Sequence, residues 1–322
     1  MTANRLAVSL PGIELKNPIM PSAGSMYYGL DHLEDFDLNI LGAMVLKTTT
    51  VDERRGNPQP WIIETSAGIM NSVGLANPGM ENVKRDFLPK LAQAIPDEPT
   101  ILSLAGETVA EYAKLAAYFD DVASITAFEI NLSCPNVDKG GLEFGVDPES
   151  AAEVIKAVKA VTNKPLYAKL SPNVTDIKPI AIAVETAGAD AIVLINTVIG
   201  MSLDLKSRAP RLYRGTGGIS GDAVHPIAVR FVYEAAQAVQ IPIIGVGGIN
   251  NVDDALELLL AGATAVQVGH MNSVDRLIMP KIIADLPAAL DKYGFADVSE
   301  VTHALKKFPA DLATWEKEHT NA

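Results

Sequence analysis

The sequence predicts an α/β protein built as a closed (β/α)8 barrel, and three observations lead there. Eight short apolar runs are spaced along the chain, separated by helix-like patterns or loops, which implies parallel strands joined by crossovers. The 322 residues exceed the roughly 250 that such a barrel typically takes, leaving room for insertions. The composition has no break that would separate two domains, no internal repeat and no low-complexity tract. Residues 1–322 therefore read as one barrel domain with a peripheral polar extension from about Ala296. A doubly wound open sheet is the competing architecture, but its early Gly-x-Gly-x-x-Gly turn is missing.

In chain order the strands are expected at Pro18–Met20, Ala43–Lys47, Ile101–Leu104, Phe128–Leu132, Leu166–Leu170, Ala191–Ile195, Ile243–Val246 and Ala265–Val268. Apolar runs this short suit strands buried on both faces, as in a parallel sheet. Glu149–Thr162, Ile177–Ala187, Pro226–Val239 and Val252–Ala261 carry helix-like patterns between the later runs. The stretch Thr48–Lys84 is long and rich in Gly, Pro and Asn, so functional loops are expected there.

Hydrophobic residues make up 48% and charged residues 20%, the composition of a soluble globular protein with a sizeable core. The single cysteine excludes a disulfide framework, and an iron–sulfur cluster held by this chain alone would need about four thiolates. A reducing, cytoplasmic compartment is expected. Met1–Leu10 has no charged region followed by an apolar core, and no stretch approaches the roughly 20 apolar residues of a membrane span. With 26 basic and 39 acidic residues the net charge is −13 and no Lys/Arg cluster appears, which argues against nucleic acid as a partner. No metal site is expected.

Active sites of such barrels form at the carboxyl ends of the strands. Read in order, those ends are Ser22-Ala23-Gly24, Lys47-Thr48, Ala105-Gly106, Asn131 with Cys134, Lys169 with Ser171, Asn196-Thr197, Gly247-Gly248 and Gly269-His270. Any one of them could be an ordinary βα turn, but eight polar or glycyl ends at one mouth suit an anionic or heterocyclic ligand. Glycines after the seventh and eighth runs let backbone N–H groups approach phosphate oxygens, in the place where these barrels commonly bind phosphate. Gly217 to Gly221, after the sixth run, could add further donors. A phosphate on FMN and one on a sugar substrate fit equally well. Lys47 and Lys169 end apolar runs, so each could form a Schiff base or stand as a cation beside a flavin ring. Cys134 lies in Asn131-Leu132-Ser133-Cys134-Pro135-Asn136, a polar setting that suits a reactive thiol better than a core residue.

These residues resemble the dihydroorotate dehydrogenases, and the likeness runs from Leu10-Pro11-Gly12 to about Leu286-Pro287. It is carried by Lys16-Asn17-Pro18, Gly56-Asn57-Pro58, Asn71 to Leu75 with Asn77-Pro78-Gly79, and Asn131 to Asn136 continuing into Gly140-Gly141. Lys169 to Asp176, Ile195-Asn196-Thr197, Gly217 to Gly221 and Ile241 to Gly245 complete it. Cysteine at position 134 is similar to the class 1 enzymes. The Lys169–Asp176 and Gly217–Gly221 segments look like class 1B, whose catalytic subunit pairs with an FAD and [2Fe–2S] subunit to use NAD.

The resemblance implies oxidation of (S)-dihydroorotate to orotate in pyrimidine biosynthesis, with Cys134 taking the C5 proton while hydride passes from C6 to FMN. It implies an FMN site at Ala23, Gly24, Lys47, Thr48, Asn131, Lys169, Ile195, Gly221, Gly247, Gly248, Gly269 and His270. It implies a substrate site at Lys47, Asn71, Ser72, Val73, Gly74, Leu75, Asn131, Asn136, Asn196 and Thr197. A lid after Cys134 and a homodimer are further implications. Ser22-Ala23, Ser25 to Tyr28, Trp61 and His270 depart from the family pattern. The competing readings are a fumarate-using class 1A enzyme, a dihydropyrimidine dehydrogenase domain, a dihydrouridine synthase acting on tRNA, and a non-redox barrel such as a Schiff-base lyase.

Overall fold

The structure is a computed structural model that describes residues 4–133, 135–136, 142–302 and 304–306. All eight expected runs are strands: β1 Ile19–Pro21, β2 Met44–Thr49, β3 Thr100–Leu104, β4 Ala127–Asn131, β5 Leu166–Lys169, β6 Ala191–Leu194, β7 Ile243–Val246 and β8 Ala265–Val268. They pair in parallel in the order β1-β8-β7-β6-β5-β4-β3-β2. The ring is drawn together between β1 and β2 by one backbone bond, Gly42 N–H to the Ile19 carbonyl at 2.8 Å. Only glycine fits there, because a Cβ on Gly42 would lie 2.2 Å from the Asn17 carbonyl oxygen. The buried Asn17 amide donates to the Ile40 carbonyl at 2.8 Å and holds the same corner.

Among the described residues seven longer helices alternate with the strands from β2 onward: α1 Leu88–Ala94, α2 Val109–Phe119, α3 Pro148–Lys159, α4 Lys178–Thr186, α5 His225–Ala236, α6 Val252–Leu260 and α7 Ile278–Tyr293. Between β1 and β2 two short 3-10 turns, Leu30–His32 and Leu38–Ile40, stand where a helix would complete the pattern. Helix starts are set by local chemistry. Asp147 accepts from the Ser150 N–H at 2.9 Å with Pro148 in the first turn of α3, and Asn251 accepts from the Asp254 N–H at 3.1 Å to start α6. Such caps contribute about 1 kcal/mol each. Among the described residues no helix is long and apolar enough to cross a membrane.

Two additions close the barrel ends. A hairpin, Val8–Leu10 with Ile13–Leu15, turns at Gly12 beside Pro165 and accepts the Tyr167 hydroxyl at the Pro11 carbonyl, which puts it under the amino ends of the strands. At the carboxyl ends lies a four-stranded antiparallel sheet in the order Val198–Met201, Thr216–Ser220, Gly68–Asn71, Ile62–Thr65. Ile63, Met70 and Leu212 give that sheet a small core of its own. Gly217 to Ser220, read from sequence as a source of further backbone donors, belongs to a central strand of this sheet. Its glycines are steric necessities: a Cβ on Gly218 would sit 2.0 Å from the Thr197 hydroxyl oxygen. The expected polar extension begins with a short helix, Val298–Thr302, whose Val298 and Val301 are buried.

Candidate active site

Two adjoining cavities, of about 310 and 400 Å3, lie at the carboxyl ends of the strands. Ala23, Lys47, Asn71, Val73, Lys169, Asn196 and Thr197 line both. A larger groove of about 690 Å3 runs along Pro148 and Pro172 to Asp176, but among the described residues its walls hold no lysine or histidine.

The 310 Å3 cavity is walled by the ends of β1, β6, β7 and β8 and by the mouth sheet. Gly247 and Gly248 follow β7 with φ of 143° and 64°, the region that side-chain-bearing residues rarely adopt. A Cβ on Gly248 would lie 2.6 Å from that of His225. The loop is held from behind, because His225 donates from Nδ1 to the Gly247 carbonyl at 2.8 Å while its Nε2 faces Glu257 at 3.2 Å. Gly221, with φ 111°, packs against Gly68. Ser22, Ser25, Ser220 and Ser273 add hydroxyls, and His270 Nδ1 is buried with no hydrogen-bond partner among the described residues. Glycyl backbone, hydroxyls and an imidazole nitrogen without a partner make a cradle that fits phosphate oxygens.

Amides dominate the 400 Å3 cavity. Asn196 donates to Asn131 Oδ1 at 3.3 Å, and Asn131 Oδ1 also accepts from the Ser133 N–H at 3.2 Å. Asn71 donates to the Gly218 carbonyl at 3.3 Å, which ties the amide to the mouth sheet. Asn173 bridges Ser171 and the Thr197 carbonyl. Lys47 and Thr48 are adjacent on β2, yet both line this cavity, although neighbours on a regular strand point to opposite faces. The register of β2 against β3 shifts between Leu46 and Thr49, and that irregularity turns both side chains to the mouth.

Below the mouth lies a buried ionic cluster. Lys169 Nζ stands 3.2 Å from Glu129 Oε1, and Gln267 donates to Glu129 Oε2 at 2.8 Å. All three residues are buried. A carboxylate within the run Ala127-Phe128-Glu129-Ile130 was the available signal in the sequence, since acidic residues are rarely buried without a partner.

Ten of the twelve residues expected at a cofactor line the 310 Å3 cavity, while Thr48 and Asn131 line the other. Of those expected at the substrate, Lys47, Asn71, Ser72, Val73, Gly74, Leu75, Asn131, Asn196 and Thr197 come together around the 400 Å3 cavity. Cys134 lies outside the described residues, and so does most of the expected lid. Its described ends, Pro135–Asn136 and Leu142–Glu143, pair antiparallel. Sequence reasoning missed Glu129, Gln267, Asn173, His225 and Ser273 as parts of the site, whereas Ser22 and Ser220 lie in segments it had offered. Trp61 lines neither cavity. It donates to the Asn57 carbonyl and borders a third cavity of about 410 Å3 with Tyr27, Glu53 and Arg54. In the altered first loop, Met26 and Tyr28 are buried core residues, and burial pushes the Tyr28 phenol well above its ordinary pKa.

Comparison with known proteins adds two findings. The family model for dihydroorotate dehydrogenase matches residues 5–290. The catalytic subunit of dihydroorotate dehydrogenase B (NAD(+)) from Anoxybacillus flavithermus is 50% identical over 299 residues, covering 93% of this chain and 95% of that one. The proteins of the same name from Geobacillus kaustophilus and Bacillus caldolyticus are 51% and 50% identical over 297 residues, covering 92% of this chain and 94% of each relative.

Proposed function

The chain belongs to the dihydroorotate dehydrogenase family, and on that premise we propose that it oxidises (S)-dihydroorotate to orotate in pyrimidine biosynthesis, as the catalytic subunit of an NAD-linked enzyme. The observation that carries this reading is the pair of adjoining cavities with Lys47, Asn71, Lys169 and Asn196 on their shared wall. One cavity suits a phosphate-bearing cofactor, and the other suits a small ring with amide edges.

FMN, held at the glycyl cradle by Gly221, Gly247, Gly248, Gly269 and His270, would supply the hydride acceptor when bound. The chain's own residues do the remaining work. Asn71, Asn131 and Asn196 offer donors and acceptors to a pyrimidine edge of mixed polarity. The ammonium groups of Lys47 and Lys169 favour negative charge on the shared wall, in a setting less screened than water. Cys134 takes the C5 proton as the C6–H bond gives up its electron pair, and a C5=C6 double bond remains. Its place three residues after Asn131 supports this role, because Asn131 and Ser133 are tied to each other at the carboxyl end of β4.

One cysteine cannot hold a cluster in this chain, and the likeness to the catalytic subunits of dihydroorotate dehydrogenase B supports electron exit through a partner subunit, which by class 1B likeness would carry FAD and a [2Fe–2S] centre. The assembly includes a homodimer of this chain in the cytoplasm. The test is anaerobic: protein reconstituted with FMN should lose its visible flavin absorbance on addition of dihydroorotate and release orotate. A protein that binds FMN but is not bleached by dihydroorotate would overturn the assignment.

A further inference from the structure

The Glu129 carboxylate has no solvent exposure, a placement that is costly for a charged group unless it is paired and hydrogen-bonded. Its neighbours on β4, Phe128 and Ile130, are apolar. Glu129 stands two residues before Asn131 on the same strand, so it leaves the same face one layer deeper. Lys169 is in register with Asn131 on β5, and its ammonium meets Glu129 Oε1 at 3.2 Å. Gln267, from β8 on the other side of the barrel, fixes Glu129 Oε2 at 2.8 Å. The carboxylate is thus held at both oxygens by different strands, and one of its partners, Lys169, also lines both cavities.

We infer that Glu129, oriented by Gln267, is a positioning residue: it fixes where the Lys169 ammonium sits and how much of that positive charge a bound flavin experiences. The inference rests on the flavin reading above. An ion pair presents far less net charge to the cavity than a lone ammonium would. Reduced flavin carries more negative charge than oxidised flavin, so an unpaired Lys169 would stabilise the reduced form and slow delivery of electrons onward. Glu129 keeps the lysine ordered while moderating its field.

The experiment is a cycle of Glu129→Gln, Lys169→Met and the double variant in the full chain, with two readouts. The first is the midpoint potential of bound FMN by spectroelectrochemical titration. Glu129→Gln should shift the redox equilibrium toward reduced flavin by about tenfold or more, about 30 mV for a two-electron couple. That shift should largely vanish in the Lys169→Met background. An unchanged potential, or an equal shift in both backgrounds, would overturn the inference, since Glu129 would then act independently of Lys169. The second readout is thermal unfolding of the flavin-free proteins, which needs no cofactor. Each single variant should lower the midpoint, and the double variant should recover part of the loss because no unpaired buried charge remains. Strictly additive losses would overturn the pairing. A wild-type protein that takes up no FMN would remove the flavin reading, and the flavin-free cycle would still decide the pair.

Discussion

Cys134 is the only thiol in the chain, which makes its chemistry unusually easy to isolate. Replacing it with alanine should leave FMN bound while slowing anaerobic flavin reduction by dihydroorotate by about 10²-fold or more, the usual scale for a positioned base. An alkylating reagent should label one site by mass spectrometry, and orotate should protect it. Unchanged reduction kinetics in Cys134→Ala would remove the assignment. At Gly248 the constraint is steric instead: a positive φ and a Cβ 2.6 Å from His225 leave room for glycine alone. His225 was not legible as a support for this loop, because nothing in His225-Pro226 shows that the Gly247 carbonyl, 22 residues later, will accept a hydrogen bond from its ring.

At the level of elements, the polar layer at the mouth is matched by a buried ionic contact near the amino ends of the strands. Glu98 precedes β3, its side chain is inaccessible to solvent, and Lys16 reaches it at 2.5 Å. Burial pushes the Glu98 carboxyl up to about 7 despite that lysine. An acid whose folded pKa is raised contributes stability that is fully present below its unfolded pKa and is lost as pH rises through the folded one. The thermal midpoint should therefore fall as pH goes from about 5 to about 7 and then flatten, and Glu98→Gln should lose that dependence. A wild-type profile without this slope, or one that Glu98→Gln leaves intact, would contradict the burial argument. The mouth sheet shows what element-level reading missed. Gly68–Asn71 and Thr216–Ser220 are short pieces with weak strand character of their own, and they become strands by pairing with each other and with Ile62–Thr65 and Val198–Met201 on either side.

For the whole molecule the expected outcome concerns electron exit. The isolated chain should oxidise dihydroorotate with artificial dyes but reduce NAD poorly, and should gain NAD activity when the proposed FAD and iron–sulfur subunit is added. Steady-state assays of the chain with and without that subunit decide it. Rapid turnover of the lone chain with fumarate would place it with the fumarate-using class.

The positions of the eight strands were readable because a strand buried on both faces leaves a local mark, a short apolar run bounded by turn residues. The set of candidate site residues was readable for a topological reason: a closed parallel barrel brings all its carboxyl ends to one mouth, so residues scattered from Ala23 to His270 could be gathered on paper. Tertiary structure alone decided which of them face the same cavity, where β2 shifts register, and that Glu129 is the partner of Lys169. Gln267 and Glu129 are 138 positions apart, and Asn71 and Gly218 are 147 apart. Periodicity and propensity act over a few neighbouring residues, whereas these bonds form only once the ring has closed and brought distant strands within hydrogen-bonding reach.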